Sequence, residues 1–235
     1  LGHLQALKAL PVLLDSLNRS RDVQAVARVA IANLGEAALP ELKARLADAT
    51  PEARAVLSQL LPAVGGKQSF ELALEGLRGQ PFEAINKVTL SVRQESREMS
   101  EAQKRVMKTQ VLKFLEKKKT LDDEDATRGA LKILGFLELP ETQDDLVAFL
   151  SNKHLPLVRM EAATAMRFAC AKGPSKKSLR KLMDLLEDEN VHVARGARDS
   201  LTVLKIGVEF ADELAELCAS KDAAVSLWAI GHLGE

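Results

Sequence analysis

The residues of this sequence with the widest chemical range are its four histidines and two cysteines: His3, His154, His192, His232, Cys170 and Cys218. A zinc site is indicated by His-Glu-x-x-His or by paired cysteines, and a histidine-activated serine or cysteine by a fold-specific motif around the nucleophile. The histidines are widely separated, and neither pattern occurs. We therefore predict no catalytic residue, no metal ligand, no cofactor-binding residue and no enzymatic activity.

The cysteines indicate the compartment. Cys170 and Cys218 are far apart in the sequence, and each has apolar neighbours. Disulfide frameworks are typical of small secreted chains rich in cysteine, whereas free cysteine is often a small core residue. This usage predicts core thiols in a reducing compartment such as the cytoplasm.

Composition bears on the class of partner. Lysine and arginine total 33 and aspartate and glutamate total 33, so no net charge draws the chain to nucleic acid or an anionic membrane. Aromatic residues are 3%, which leaves few side chains for stacking on bases or sugars. No apolar run approaches the ~20 residues that span a bilayer. We expect a protein or peptide partner, without nucleic acid or membrane.

The elements that carry these residues are predicted to be helices in a repeated pattern. A Leu-Pro pair recurs at Leu10-Pro11, Leu39-Pro40 and Leu139-Pro140. Proline is well tolerated in the first turn of a helix, so each pair predicts the start of one helix type, here called B. Each B helix alternates with an alanine-rich A helix, and the pair recurs about every 30–35 residues.

The A helices are predicted from apolar residues at helical spacing. One such stripe belongs to the segment 23–34 and is closed by Gly35, and three others lie further along the chain. The stripes are Val23, Val26, Ala27, Ala30, Ile31 and Leu34; Ala126, Ala130, Leu131, Leu134 and Leu137; Val158, Ala162, Ala165, Met166 and Ala169; and Val193, Ala197, Leu201 and Leu204. We expect these stripes to form the core between neighbouring repeats.

The stretches Val158–Met166 and Ala130–Leu137 resemble the core of the HEAT repeat, in particular its bacterial, phycobilisome-lyase-like variety. The resemblance implies an all-α fold, a right-handed α-α superhelix of about six to seven helix pairs, of the armadillo-like type. The arginine at position 159 is replaced by Gln24, Thr127, Ala194 and Ser226 in four other units, so the family's arginine–aspartate ladder is incomplete.

We predict one array over residues 1–235. Its approximate units are 1–20 (partial), 21–50, 51–80, 81–121, 122–154, 155–189, 190–221 and 222–235 (partial). The Leu-Gly at the start matches the Leu233-Gly234 at the end, and both fall late in an A helix. We therefore expect an excerpt of a longer protein, whose apolar ends are not binding sites.

The resemblance implies a scaffold that binds a protein along a concave surface lined by B helices. The candidate partner-binding residues on B helices are Glu41, Lys43, Arg45, Asp144, Arg180, Lys181, Asp212 and Glu216. A central basic run adds Lys104, Arg105 and Lys108, with Lys113, Lys117, Lys118 and Lys119 following it. Two interpretations of this run stay open: a binding site, or a solvated face whose cations favour a helix C-terminus.

The alternatives to a scaffold are a structural spacer, and a lyase or DNA glycosylase subunit of HEAT-like fold. The resemblance also raises the di-iron deoxyhypusine hydroxylases, which bind metal through His-Glu dipeptides. No His-Glu occurs in this sequence. A glycosylase needs a strongly basic groove with aromatic residues, and the chain has no net charge and one tryptophan. No chromophore-handling residue of the lyases can be assigned.

Overall fold

The computed structural model describes residues 7–234, which form helices, turns and loops with no strand among them. The predicted all-α class is thereby confirmed. The residues at 1–6 and Glu235, with His3 and most of the matched chain ends, lie outside the described residues. The described chain divides into two compact units, one ending at Ile133 and the other beginning at Leu134.

The helices of the first unit alternate between two kinds along the chain. The B helices are α1 (Leu10–Ser16), α3 (Leu39–Ala47), α5 (Lys67–Glu75) and α7 (Glu101–Leu115); the A helices are α2 (Arg21–Leu34), α4 (Pro51–Val64), α6 (Phe82–Ser96) and α9 (Glu124–Phe136), which crosses into the second unit; α8 (Lys118–Leu121) is a short connection. Helix α4 packs against both α2 and α6, and α5 packs against α7. Like helices therefore stack on like.

The second unit continues the alternation. Its B helices are α10 (Thr142–Ala148), α12 (Lys176–Asp184) and α14 (Ala211–Cys218), and its A helices are α11 (Pro156–Ala169), α13 (Val191–Leu201) and α15 (Ala223–Leu233). Helix α11 packs against α13, α10 packs against α12, and α14 packs against α15. Short 3-10 segments join some of the described helices. One lies in the first unit, at Gly35–Ala38, and two lie in the second, at Leu185–Glu187 and Val208–Phe210. The repeat-unit boundaries stay a prediction.

Two of the three predicted Leu-Pro helix starts are confirmed. Pro11 and Pro40 lie in the first turns of α1 and α3. The prediction at Pro140 was wrong by two residues, because α10 begins at Thr142 and Pro140 lies in the preceding turn. Before that turn, Glu138 has a left-handed φ of 53°, which ends the helical path of α9.

The predicted A-helix stripes form much of the core. The stripes of α9, α11 and α13, together with Leu137 and Leu204 just after two of them, are buried throughout. The stripe of α2 is only partly correct, since Ala27, Ile31 and Leu34 are buried but Val23 and Val26 are exposed. Spacing shows that side chains share a face, and only packing shows whether another element covers it.

Candidate functional site

Among the described histidines and cysteines, Cys170 and His154 have pKa values that burial shifts. Cys170 is buried, and burial raises the pKa of its thiol to about 12. Burial also lowers the pKa of His154, whose ring lies 4.8 Å from that of Phe149. Across residues 7–234, no group of three or more histidine, cysteine or acidic side chains is arranged to hold a metal ion. In the same range, no helix is long and apolar enough to cross a membrane.

The charged side chains of the B helices pair across neighbouring repeats. Arg45 Nη1 on α3 lies 3.0 Å from Asp15 Oδ1 on α1. Lys117 Nζ, just after α7, lies 2.7 Å from Glu75 Oε1 on α5. In the second unit, Lys177 on α12 reaches Asp144 on α10, and Arg180 on α12 reaches Glu213 on α14. Each pair links successive B helices, and it occupies charges that a partner could otherwise use.

These ion pairs change the proton affinity of their members. Hydrogen bonds to Glu41 and then to Asp15 raise the pKa of Arg45. Partial burial raises the pKa of Glu75, but hydrogen bonds from Lys117 and Arg78 outweigh it, so the net shift is downward. The hydrogen bond from Arg180 lowers the pKa of Glu213. Arg45, Glu75 and Glu213 therefore carry their charges at neutral pH.

Glu41 and Arg45 lie in an open groove of about 470 Å³ between α1, α3 and the start of α4, here called the α1–α3 groove. Its floor is apolar, with Leu14, Val56 and Leu57 among the lining residues. Arg45 is engaged by both Asp15 and Glu41, at 3.0 and 3.3 Å. The structure thus joins two predicted residues in one groove, but it also pairs them with each other.

Arg180 and Glu216 line a groove of about 360 Å³ between α12 and α14, here called the α12–α14 groove. Arg180 is bound to Glu213, and the neighbouring Lys181 pairs with Asp184 at 2.8 Å. Asp212 is exposed on the first turn of α14. The rim of this groove is mainly acidic, since it also includes Asp184, Glu187 and Glu213.

The three central basic residues do not join either groove. Arg105 Nη2 pairs with Glu101 Oε2 at 3.0 Å within α7, and Lys104 and Lys108 are half-buried on the same helix. Lys113 is nine residues after Lys104, which places the two about 180° apart around the helix. The basic run of the sequence is therefore divided between opposite sides of α7.

A groove of about 440 Å³ beside α5 and α7, here called the α5–α7 groove, was not predicted from the sequence. Its lining residues are Lys43, Gln68, Glu71, Leu72, Leu74, Glu75, Gln110, Lys113, Phe114 and Lys117. Lys43 was predicted on the B-helix surface, and Lys113 only within the basic run. Lys113 and Lys117 are four residues apart, the spacing of one face of a predicted helix, and this was the available signal, although α7 itself ends at Leu115.

Comparison with known proteins supports a repeat architecture for part of the chain. Residues 111–202 match a family described as HEAT repeats, a range that covers the end of α7 and all of α8 to α13. A search of curated proteins finds no match. Among solved structures, the crystal structure of an engineered protein from the Northeast Structural Genomics Consortium is 18% identical with a TM-score of 0.41, over 96% of this chain and 95% of that one.

Proposed function

We propose that this chain is a non-catalytic scaffold that binds a protein or peptide along its B helices. The observation that carries the proposal is the set of open grooves beside B helices in both units, each with charged side chains at its rim. Such surfaces suit extended partners, because a stack of helix pairs exposes one face of every repeat. The HEAT-repeat match at 111–202 supports the same function.

A structural spacer is the second candidate, and one observation favours it. Four ion pairs join successive B helices, so several charges of this surface are already neutralised within the chain. Exposed pairs of this kind contribute about 0–1 kcal/mol each, so a partner can displace them at low cost. No comparable observation favours a lyase or a DNA glycosylase.

The same proposal includes the variety of the repeat, the cellular location and the class of partner. The phycobilisome-lyase-like variety rests on the stretch Val158–Met166, which forms most of α11. A reducing, cytoplasmic location rests on the two free cysteines. A partner other than nucleic acid or membrane rests on the equal numbers of basic and acidic residues.

Site-specific photo-crosslinking in the source cell tests the scaffold against the spacer. We would place p-benzoylphenylalanine at Gln68, which lines the α5–α7 groove, and at Glu216, which lines the α12–α14 groove. Leu90 on the A helix α6 is 53% exposed and serves as the matched control. A scaffold gives discrete protein adducts at Gln68 or Glu216 but not at Leu90. Absence of adducts at both groove positions would favour the spacer.

A further inference from the structure

Lys43 and Lys113 differ from most cations of the B-helix surface. Lys43 on α3 and Lys113 on α7 are exposed, and both line the α5–α7 groove. Neither forms an ion pair with any residue among 7–234, whereas Arg45, Lys117, Lys177 and Arg180 each pair with an acid on a neighbouring B helix. Two positive charges on this rim are therefore left uncompensated.

The acids of the same groove do not compensate these lysines. Glu75 is shared by three cations: Arg78, Lys117 at 2.7 Å and Lys119 at 3.9 Å. Glu71, the other acid, lies 4.0 Å from Lys67, one turn earlier on α5. The rim therefore keeps a positive field around Lys43 and Lys113 that attracts carboxylates.

The floor of the groove suits a peptide rather than a free anion. Leu72 is partly exposed and supplies apolar surface above the buried Leu74 and Phe114, and Gln68 supplies an exposed amide beside it. Gln110 is 5% exposed, and its Nε2 donates to the Lys67 carbonyl at 2.8 Å, which fixes the orientation of the amide. The groove is thus an ordered surface with both apolar and hydrogen-bonding groups, as in peptide-binding sites.

We propose that the α5–α7 groove binds an acidic peptide segment of a protein partner. Carboxylates of the segment lie against Lys43 and Lys113, and an apolar side chain of the segment packs on Leu72. This inference rests on the proposed scaffold function and names the partner class of one groove. The opposite charge of the α12–α14 rim means that the same peptide does not suit that groove.

A random-peptide display library selected on the full chain tests the proposal. The wild-type chain is compared with the double variant Lys43→Glu/Lys113→Glu and with Lys87→Glu, whose lysine is exposed on the A helix α6. We expect acidic peptides from the wild type and from Lys87→Glu, and their loss from the double variant. For the best peptide, the double variant should raise the Kd at least about tenfold. Matching thermal unfolding of the three proteins establishes that the variants are folded.

Three outcomes would contradict the proposal, and they can be told apart. Selected peptides that are not acidic, or that bind the double variant equally, overturn the acidic-peptide assignment but leave the scaffold function standing. Failure of all three proteins to select any peptide also counts against the scaffold function. Binding of a labelled random-sequence RNA that depends on Lys43 and Lys113 would assign the groove to nucleic acid instead.

Discussion

Arg159 on α11 and Asp188, in the loop before α13, form an ion pair in which the two side chains are only 11% and 9% exposed. The second oxygen of Asp188 accepts a hydrogen bond from the backbone N–H of Asn190, at 2.9 Å. Asn190 in turn caps the N-terminus of α13. This pair therefore ties one A helix to the start of the next, within the stretch that matches HEAT repeats.

Removal of one member of this pair should destabilise the second unit strongly. We expect Arg159→Met to lower the free energy of unfolding by about 3–5 kcal/mol, because it leaves a buried carboxylate without its cation. The double variant Arg159→Met/Asp188→Leu should recover part of that loss. Urea unfolding measures both changes. Lys181→Met breaks an exposed pair and is the control, with an expected loss of at most about 1 kcal/mol. Equal losses at Arg159 and Lys181 would contradict the buried pairing.

Gly135 should resist substitution because α9 and α11 approach closely at this point. A Cβ at Gly135 would lie 2.7 Å from the carbonyl oxygen of Ala165. Gly135→Ala should therefore destabilise the protein by about 1–3 kcal/mol, since the backbones must move apart. A Cβ added at Gly231 on α15 would meet no neighbouring atom of the described chain within 4 Å, so Gly231→Ala should stabilise its helix by about 0.5–1 kcal/mol. A melting temperature of Gly135→Ala equal to or above that of the wild type would contradict the close contact.

Ser100 should contribute to stability as the N-cap of α7. Its hydroxyl oxygen accepts from the Gln103 N–H, and the Gln103 side chain accepts from the Ser100 N–H, which completes a capping box. We expect Ser100→Ala to cost about 1 kcal/mol in the free energy of unfolding. Ser20 occupies the N-cap of α2 without a capping hydrogen bond, so Ser20→Ala should cost clearly less. Chemical denaturation of the two variants gives the comparison, and a reversed order would refute the capping box.

Cys170 should be unreactive in the folded chain and should make stability depend on alkaline pH. Burial raises its pKa from 9.0 to about 12, so the folded state holds the thiol proton more tightly than the unfolded state. The stability that the buried, protonated thiol contributes is fully present below pH 9 and is lost as the pH rises toward about 12. The difference in unfolding free energy between wild type and Cys170→Ala should shrink over that window. Iodoacetamide should label Cys170 only after unfolding; labelling of the native thiol at neutral pH would contradict this.

The sequence by itself determined where most helices lie. The stripe residues of α11, from Val158 to Ala169, recur at helical spacing and are all buried, and Gly35 and Gly65 end α2 and α4 as C-caps. These signals are local, because helix formation depends on spacing and on capping residues within a few positions. The start of α10 was predicted two residues too early. The left-handed residue before it is Glu138 and not a glycine, so no local sequence signal marks the break between α9 and α10.

Only the tertiary structure decided which charges are paired within the described chain and which are not. Arg45 and Asp15 are 30 residues apart, and Lys117 and Glu75 are 42 apart. Such pairs depend on which helices stack and on the side of its helix from which each side chain extends. The spacing of residues along one helix gives no information on either point. The fate of Lys43 and Lys113 follows from the same fact. The helices stacked around these two lysines in the described chain bring no carboxylate into pairing distance.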